Sequence, residues 1–177
     1  MFAFRYDDHL HNNEYISMDK TLLLKHIVDE LKTVHQSAID AATRAYETAT
    51  DEENAPEHKY DTLSLEASYL AQGQAQRVAE CEEDLSLYAK LDIKQFSSED
   101  AIGLGCLIHL VDEDDNDKFV FLGPAAGGLK FDFSDKEIII VTPSAPLGHA
   151  LAGSHVDDEV IVHIGGEQKV FDIVAIY

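Results

Sequence analysis

From Met18 to Thr50 the apolar positions recur at helical spacing. Leu24, Leu31, Ala38 and Ala45 form one seven-residue series, with Val28, Ala42 and Ala49 in a second beside it, which predicts a long helix carrying a coiled-coil seam. From Pro56 to Leu91 a second series advances by alternate steps of four and three through Tyr60, Ser64, Ala67, Ala71, Gln74, Val78, Cys81, Leu85 and Tyr88. This is a second, partly polar seam. Pro56 suits the first turn of that helix, where its missing N–H costs nothing, and Asn54 is placed as its cap. The two helices are expected to fold back as an antiparallel hairpin over residues 18–92. Side chains shrink along the first helix, from Leu22, Leu23, Leu24, Ile27 and Leu31 to Ala38, Ala41, Ala42, Ala45 and Ala49, so the hairpin should be slimmest at its bend. A helix of about 30 residues reaches roughly 45 Å, and such a rod is too thin to enclose a pocket.

After Leu91 the period changes. The stretch LDIKQFSSED is a linker, and GLGCLIHLVD, KFVFLG, LKFDF, KEIIIVTP, EVIVHI and KVFDIVAIY are short and rich in Val, Ile and Phe. Turn signals separate them, among them DEDDND, PAAGG and IGGEQ, and the set predicts an antiparallel sheet. In SAPLGHALAGSHV a serine is placed as cap, Pro146 to Leu151 as a short helix and Gly153 as its stop. Residues 93–177 therefore read as a small α+β domain of one sheet and one short helix. Residues 1–17 are polar and aperiodic and read as a loose arm.

Charge narrows the function. The formal net charge is −21 at pH 7, so a phosphate backbone would be repelled and unaided nucleic-acid binding is not expected. Such acidity fits solubility in salt or a basic partner. Cys81 and Cys106 sit in helical and apolar contexts, as buried thiols of a reducing compartment do, and no CxxC or Cys/His cluster suggests zinc or redox chemistry. Neither an export signal nor a membrane-spanning run is found. The expectation is a cytoplasmic protein.

Several motifs fail on spacing. GPAAGGLK lacks the lysine and hydroxyl residue that must directly follow the last glycine of a phosphate loop, because Leu129 intervenes. DEDDND, framed from Asp112, has Asp117 where a calcium loop needs glycine and Gly123 where it needs glutamate, and reads as a solvated hairpin turn. His9 and His11 are casual surface histidines, and no nucleophile elbow occurs.

The cluster that resists dismissal lies at the bend, where Asp51, Glu52 and Glu53 stand side by side. A solvated loop is the plain reading. Carboxylate oxygens also bind hard cations, and Mg²⁺ takes one or two protein carboxylates while water and phosphate fill the rest of its sphere. An acidic tip on a slim rod could deliver carboxylates to a metal held in another molecule.

The layout of a coiled-coil hairpin followed by a small α+β domain resembles the bacterial Gre family of transcript cleavage factors. SAPLGHALAGSHVDDEVIVHIGGEQKVFDIVAIY is similar to that family's closing signature at Ser144, Pro146, Leu147, Gly148, Ala150, Leu151, Gly153, Val156, Asp158, Val160, Phe171 and Ile173. Ala145 is inserted between the serine and the proline, and Asp157 stands where the family has glycine. At the bend, Glu53, Asn54 and Ala55 are in register with the family's Glu-Asn-Ala. Asp51 falls one residue closer than the family's aspartate, Glu52 replaces a serine, and a glycine is missing. The family's basic patch has no full counterpart, since Arg44 and Lys59 are the only cations between Ala38 and Leu70.

The resemblance implies an FKBP-like C-terminal domain and a monomer that docks on bacterial RNA polymerase. Its hairpin would enter the secondary channel, and nucleic acid would be met only within the elongation complex. Asp51 and Glu53, with Glu52 as a substitute for either, would help hold a Mg²⁺ shared with the polymerase and orient water for hydrolysis of a backtracked transcript. The chain would have no cofactor of its own, and the enzyme would remain the polymerase. A channel-occupying regulator that does not cleave is the neighbouring alternative. A coiled-coil dimer module and a peptidyl-prolyl isomerase belong to different classes; the isomerase needs an aromatic-lined pocket, whereas the domain's aromatics alternate as core residues do.

Overall fold

A computed structural model describes residues 19–50, 62–92 and 94–177. Two long helices come first, α1 (Lys20–Thr50) and α2 (Thr62–Ala89). The strands β1 (Leu107–Asp112), β2 (Asp117–Leu122), β3 (Lys130–Phe133) and β4 (Lys136–Val141) follow, then α3 (Pro146–Leu151), β5 (Glu159–Ile164) and β6 (Glu167–Ile176). The α+β class and the order of elements are those the periodicity predicts.

α1 opens on Asp19, whose carboxylate accepts the backbone N–H groups of Thr21 and Leu22 at 2.9 and 3.2 Å, the usual N-cap device. Its hydroxyl residues do not break it, because they turn back onto the preceding turn. Thr33, Ser37, Thr43, Thr48 and Thr50 each donate to the carbonyl four residues earlier. The α2 seam is buried or half-buried at Ala67, Ala71, Gln74, Val78, Cys81, Leu85 and Tyr88. On α1 the buried apolar positions are Leu23, Ile27, Leu31, Ala38 and Ala45, so near the sheet the seam runs through Leu23 and Ile27 while Leu24 and Val28 flank it.

The six strands lie in the order β3-β4-β2-β1-β6-β5. Period-two alternation gives the sheet two apolar faces. Ile108, Leu110, Val120, Leu122 and Val141 point to one side, where Leu151 of α3 and Ile102 cover them. Leu107, Phe119, Phe121, Ile138 and Ile140 point to the other, where Leu23, Ile27 and Leu31 of α1 and Tyr88 of α2 join them. The base of the hairpin is thus part of the core.

Two local expectations are corrected. The sheet is mixed, since β2 and β4 pair in parallel, with Phe119 opposite Ile138 and Leu122 opposite Val141. The chain over 123–135 overshoots by one strand, forms β3 at the edge and returns through Ser134 and Asp135, both at positive φ (51° and 60°), as in a type I′ turn. β4 then slots between β3 and β2. A connection of about a dozen residues is what a parallel pair requires. Secondly, the cap position of α3 is the inserted Ala145, which makes no side-chain cap bond; Ser144, displaced by one residue, exchanges a 2.9 Å hydroxyl bond with Thr142. Gly153 does end the segment, with φ +86°.

Candidate functional site

The candidate site has three parts: the bend, the rod that carries it and the joint that aims the rod. Asp51, Glu52 and Glu53, with Asn54, Ala55 and Pro56, lie outside the described residues, as do the arm 1–17 and Lys59. The helices that flank the bend are described. His35 of α1 and Glu82 of α2 approach to 3.6 Å across the hairpin, and Leu31 shares its apolar cluster with Leu85. α1 and α2 therefore run antiparallel, and Thr50 and Thr62 stand at the end remote from the sheet.

The seam side chains shrink away from the sheet, as the sequence predicts. Near the sheet it is filled by Leu23, Ile27, Leu31 and Tyr88; further out α1 contributes Ala38 and Ala45 while α2 contributes Ala71 and Ala67. Its outer surface carries short-range pairs, Asp29 with Lys32 at 2.8 Å and Arg77 with Glu80 at 3.3 Å. Arg44 is exposed, so the sparse basic character read from the sequence is a feature of the described rod.

The joint is the part that sequence reading missed. Tyr88 is 1% exposed and donates its hydroxyl to the Ala125 carbonyl at 3.1 Å. Burial, reinforced by the Asp84 carboxylate, lifts its pKa well above the ordinary phenol range. Gly123 sits against the hydroxyl end of Tyr88. A Cβ there would stand 2.2 Å from the Tyr88 hydroxyl, so only glycine lets the β2 end and the helix meet this closely. The GPAAGG segment that superficially resembles a phosphate loop is the socket for Tyr88. It also walls an open cleft of about 470 Å³ with Leu31, Val34, Arg77 and Asp84, where burial raises the Asp84 pKa against the opposing pull of Arg77.

On the far side of the joint Lys20 is 4% exposed. Its ammonium donates to the Lys94 carbonyl and lies 4.2 Å from the centre of the Phe96 ring. Burial lowers its pKa to about 8, and the Lys94 charge pulls the same way while Cys106 opposes. Burial likewise pushes the Cys106 thiol up to about 11, making it an inert core residue. His26 adds a third contact, tilted against Phe131 and Phe133 at 5.3 and 5.6 Å. The one advance signal for this joint was Tyr88 itself, a phenol at a seam position.

Elsewhere the chemistry is structural. Asp112 accepts from the N–H groups of Asp114 and Asn116 and pairs with Lys118 at 2.9 Å. Its pKa is held far below the usual range, chiefly by Lys118. The acidic loop is a β1–β2 turn. Among the described residues no group of three or more His, Cys, Asp or Glu is placed to hold a metal ion, and no helix is long and apolar enough to cross a membrane. Phe119, Phe121, Phe131 and Phe171 are buried in the core. Of the closing stretch, Gly148, Leu151, Val160, Phe171 and Ile173 are buried, whereas Ser144, Pro146, Gly153 and Asp158 are exposed. Asp157 has φ +68°, a backbone state that Asp tolerates better than most side chains.

In comparisons with known proteins, no family model and no curated protein matches the sequence. Among solved structures the fold is similar to that of the transcription factor Gfh1, with 20% identity over 85% of this chain and 92% of that one and a TM-score of 0.39. It is similar to GreA factor homolog 1 (Gfh1) of Thermus thermophilus, with 20% identity over 88% of this chain and 93% of that one and a TM-score of 0.37. A prokaryotic transcription elongation factor GreA/GreB from Nitrosomonas europaea is similar with 17% identity, over 63% of this chain and 91% of that one, with a TM-score of 0.33.

Proposed function

We propose that this chain is a transcription elongation factor that docks on RNA polymerase, inserts its hairpin into the secondary channel and stimulates cleavage of backtracked RNA by the polymerase's own active site. The observation that carries the reading is the shift from large to small seam side chains along a hairpin whose base is packed into the core. Alanine replaces leucine along α1 away from the sheet, leaving a slim end that presents Asp51, Glu52 and Glu53 where no pocket of this chain is needed. In this reading Asp51 and Glu53 help hold a Mg²⁺ shared with the polymerase and position water, with Glu52 able to replace either, as two-metal hydrolysis requires. The polymerase remains the enzyme, nucleic acid is met only inside its complex, and the setting is the bacterial cytoplasm.

The test uses a stalled, backtracked elongation complex with Mg²⁺. Wild-type protein is expected to shorten the RNA from its 3′ end. The Asp51→Asn, Glu53→Gln variant should bind equally but cleave at least about tenfold more slowly, a loss of about 1.4 kcal/mol in barrier terms. Binding without any RNA shortening would favour the second reading, a channel-occupying regulator, which the altered spacing at Asp51 and the missing glycine support. Absence of binding at low salt would remove both.

A further inference from the structure

The hairpin covers only part of the sheet face on which it stands. Leu107, Phe119 and Phe121 pack beneath it, but the same face continues across β1, β6 and β5. Alternation from Leu107 brings Val111 to this side, and the pairing of Val111 with Asp172 and of Val170 with Ile161 carries the face outwards. The register shift between His109 and Leu110 adds Val174 as the extra residue of a β-bulge. Ile161 is 49% exposed and Val174 46%, while Val111 and Val170 are half-buried. An apolar strip thus crosses three strands with no described element over it. It also carries a strained pair of charges. Glu159 and Asp172 stand directly opposite each other on β5 and β6, both exposed, and like charges so placed repel. Among the described residues the lysine ion pairs of this domain join Lys94 to Asp100, Lys118 to Asp112 and Lys130 to Glu137; none reaches Glu159 or Asp172. The strip lacks both an apolar cover and a cation.

We infer that residues 2–6 of this same chain, Phe-Ala-Phe-Arg-Tyr, supply both by docking on the strip. Phe2, Phe4 and Tyr6 cover Ile161, Val170 and Val174, and the Arg5 guanidinium serves Glu159 and Asp172. Composition singles this segment out, because three rings and a guanidinium fall within five residues that hold no acid. The point of attachment suits it as well. α1 opens beside Asp19, and Lys20 shares a small pocket with Gly105 and Phe121, at the end of the sheet where Leu107 and Tyr177 exchange backbone bonds. Tyr177 directly follows β6, the strand that carries Val174 and Val170. Thirteen residues lead from Tyr6 to Asp19, and they reach up to about 43 Å. Crossing from β1 to β5 takes about 10 Å, and running along β6 from Tyr177 to Val170 about 24 Å. The tether is therefore ample, and it holds the segment near the strip at an effective concentration of about a millimolar, which a free partner has to exceed. Asp7 and Asp8 follow Tyr6 on the side leading back to α1. This docking is independent of the transcription reading, and it departs from the loose arm expected from the sequence.

Methyl NMR of the full chain tests the inference. A nitroxide is attached to Ala3→Cys, between the proposed anchors, while Cys81 and Cys106, 3% and 0% exposed, stay unmodified. The isotope-labelled, nitroxide-bearing protein is diluted into an excess of unlabelled wild type, so that only contacts within one chain are read. Methyl signals of Ile161, Val170 and Val174 should then lose most of their intensity, and those of Ile39 and Val78 on the rod should keep theirs. Adding Arg5→Glu should restore the strip's signals, and so should Phe2→Ser with Phe4→Ser, each with the cooperative melt of the sheet retained. Full intensity at the strip, equal loss at Ile39, or an Arg5→Glu protein that broadens like its parent would each overturn the inference. So would broadening that disappears on dilution, which would assign the strip to another molecule. None of these readouts involves polymerase.

Discussion

The two halves of the hairpin share a heptad pattern and differ in almost everything else. Near the sheet, Leu23 and Ile27 are fully buried and Tyr88 nearly so, and they form one apolar cluster with Phe121, Ile138 and Ile140. Further out the seam positions are Ala38 and Ala45 on α1 and Val78, Gln74, Ala71 and Ala67 on α2, with Tyr46, Leu65 and Tyr69 exposed. Identical spacing therefore serves two purposes. At the base it anchors a helix pair in a domain core; beyond the base it holds two helices close while contributing little burial of its own. Helix stability beyond the joint leans on α1–α2 contact alone, and the free energy of the fold is concentrated where the rod meets the sheet.

Substitutions should report that gradient. Ile27→Ala, inside the shared cluster, should cost about 2–5 kcal/mol and lower the melting temperature of helices and sheet together. Separate transitions for the two would show that the base is not part of the core.

Lys20 offers a pH-dependent probe of the same joint. Its folded pKa of about 8 lies below the ordinary 10.5, so between those values the unfolded chain binds more protons and stability rises with pH. Below pH 8 the penalty for burying the charge is fully present. Cys106 acts oppositely above pH 9, because its folded pKa is raised to about 11, so the comparison must be made against a variant. Relative to wild type, Lys20→Met should lose stability as pH climbs from about 8 towards 10.5, because only the wild type sheds a buried charge over that range. A constant difference across that range would place Lys20 in water.

The smallest effect is expected in the outer half. Ala45 is 7% exposed, and Ala45→Leu should cost about 1–3 kcal/mol through overpacking, splaying the helices there while the melt of the sheet stays in place. An unchanged stability would mean that the outer rod has room to spare.

Much of this was legible in the sequence, for identifiable reasons. The α2 seam could be read residue by residue because its series has one period throughout, and the limits of α3 followed from Pro146 and Gly153. The mixed sheet could not be read, since alternation fixes which face a residue takes but says nothing about which strand lies next to which. The Tyr88 socket was hidden because its two halves, a phenol at a seam position and Gly123 after β2, are distant in the chain. Lys20 was hidden because a lysine opening a helix ordinarily points to water. The three carboxylates at the bend were found by composition alone, and their geometry lies outside the described residues.

The Tyr88 socket has a mechanical consequence. α2 extends roughly 39 Å from Tyr88 to its first residue, so the hairpin works as a lever arm whose fulcrum is the socket, and a tilt of about 5° there displaces the far end by roughly 3 Å, about the length of a hydrogen bond. Under the proposed function, a carboxylate carried at that end would meet a metal in another molecule only if angular play at the fulcrum were small. Gly123, which lets the phenol seat against bare backbone, is then a bearing surface: its lack of a side chain sets the tolerance of an instrument whose working point is tens of ångströms away.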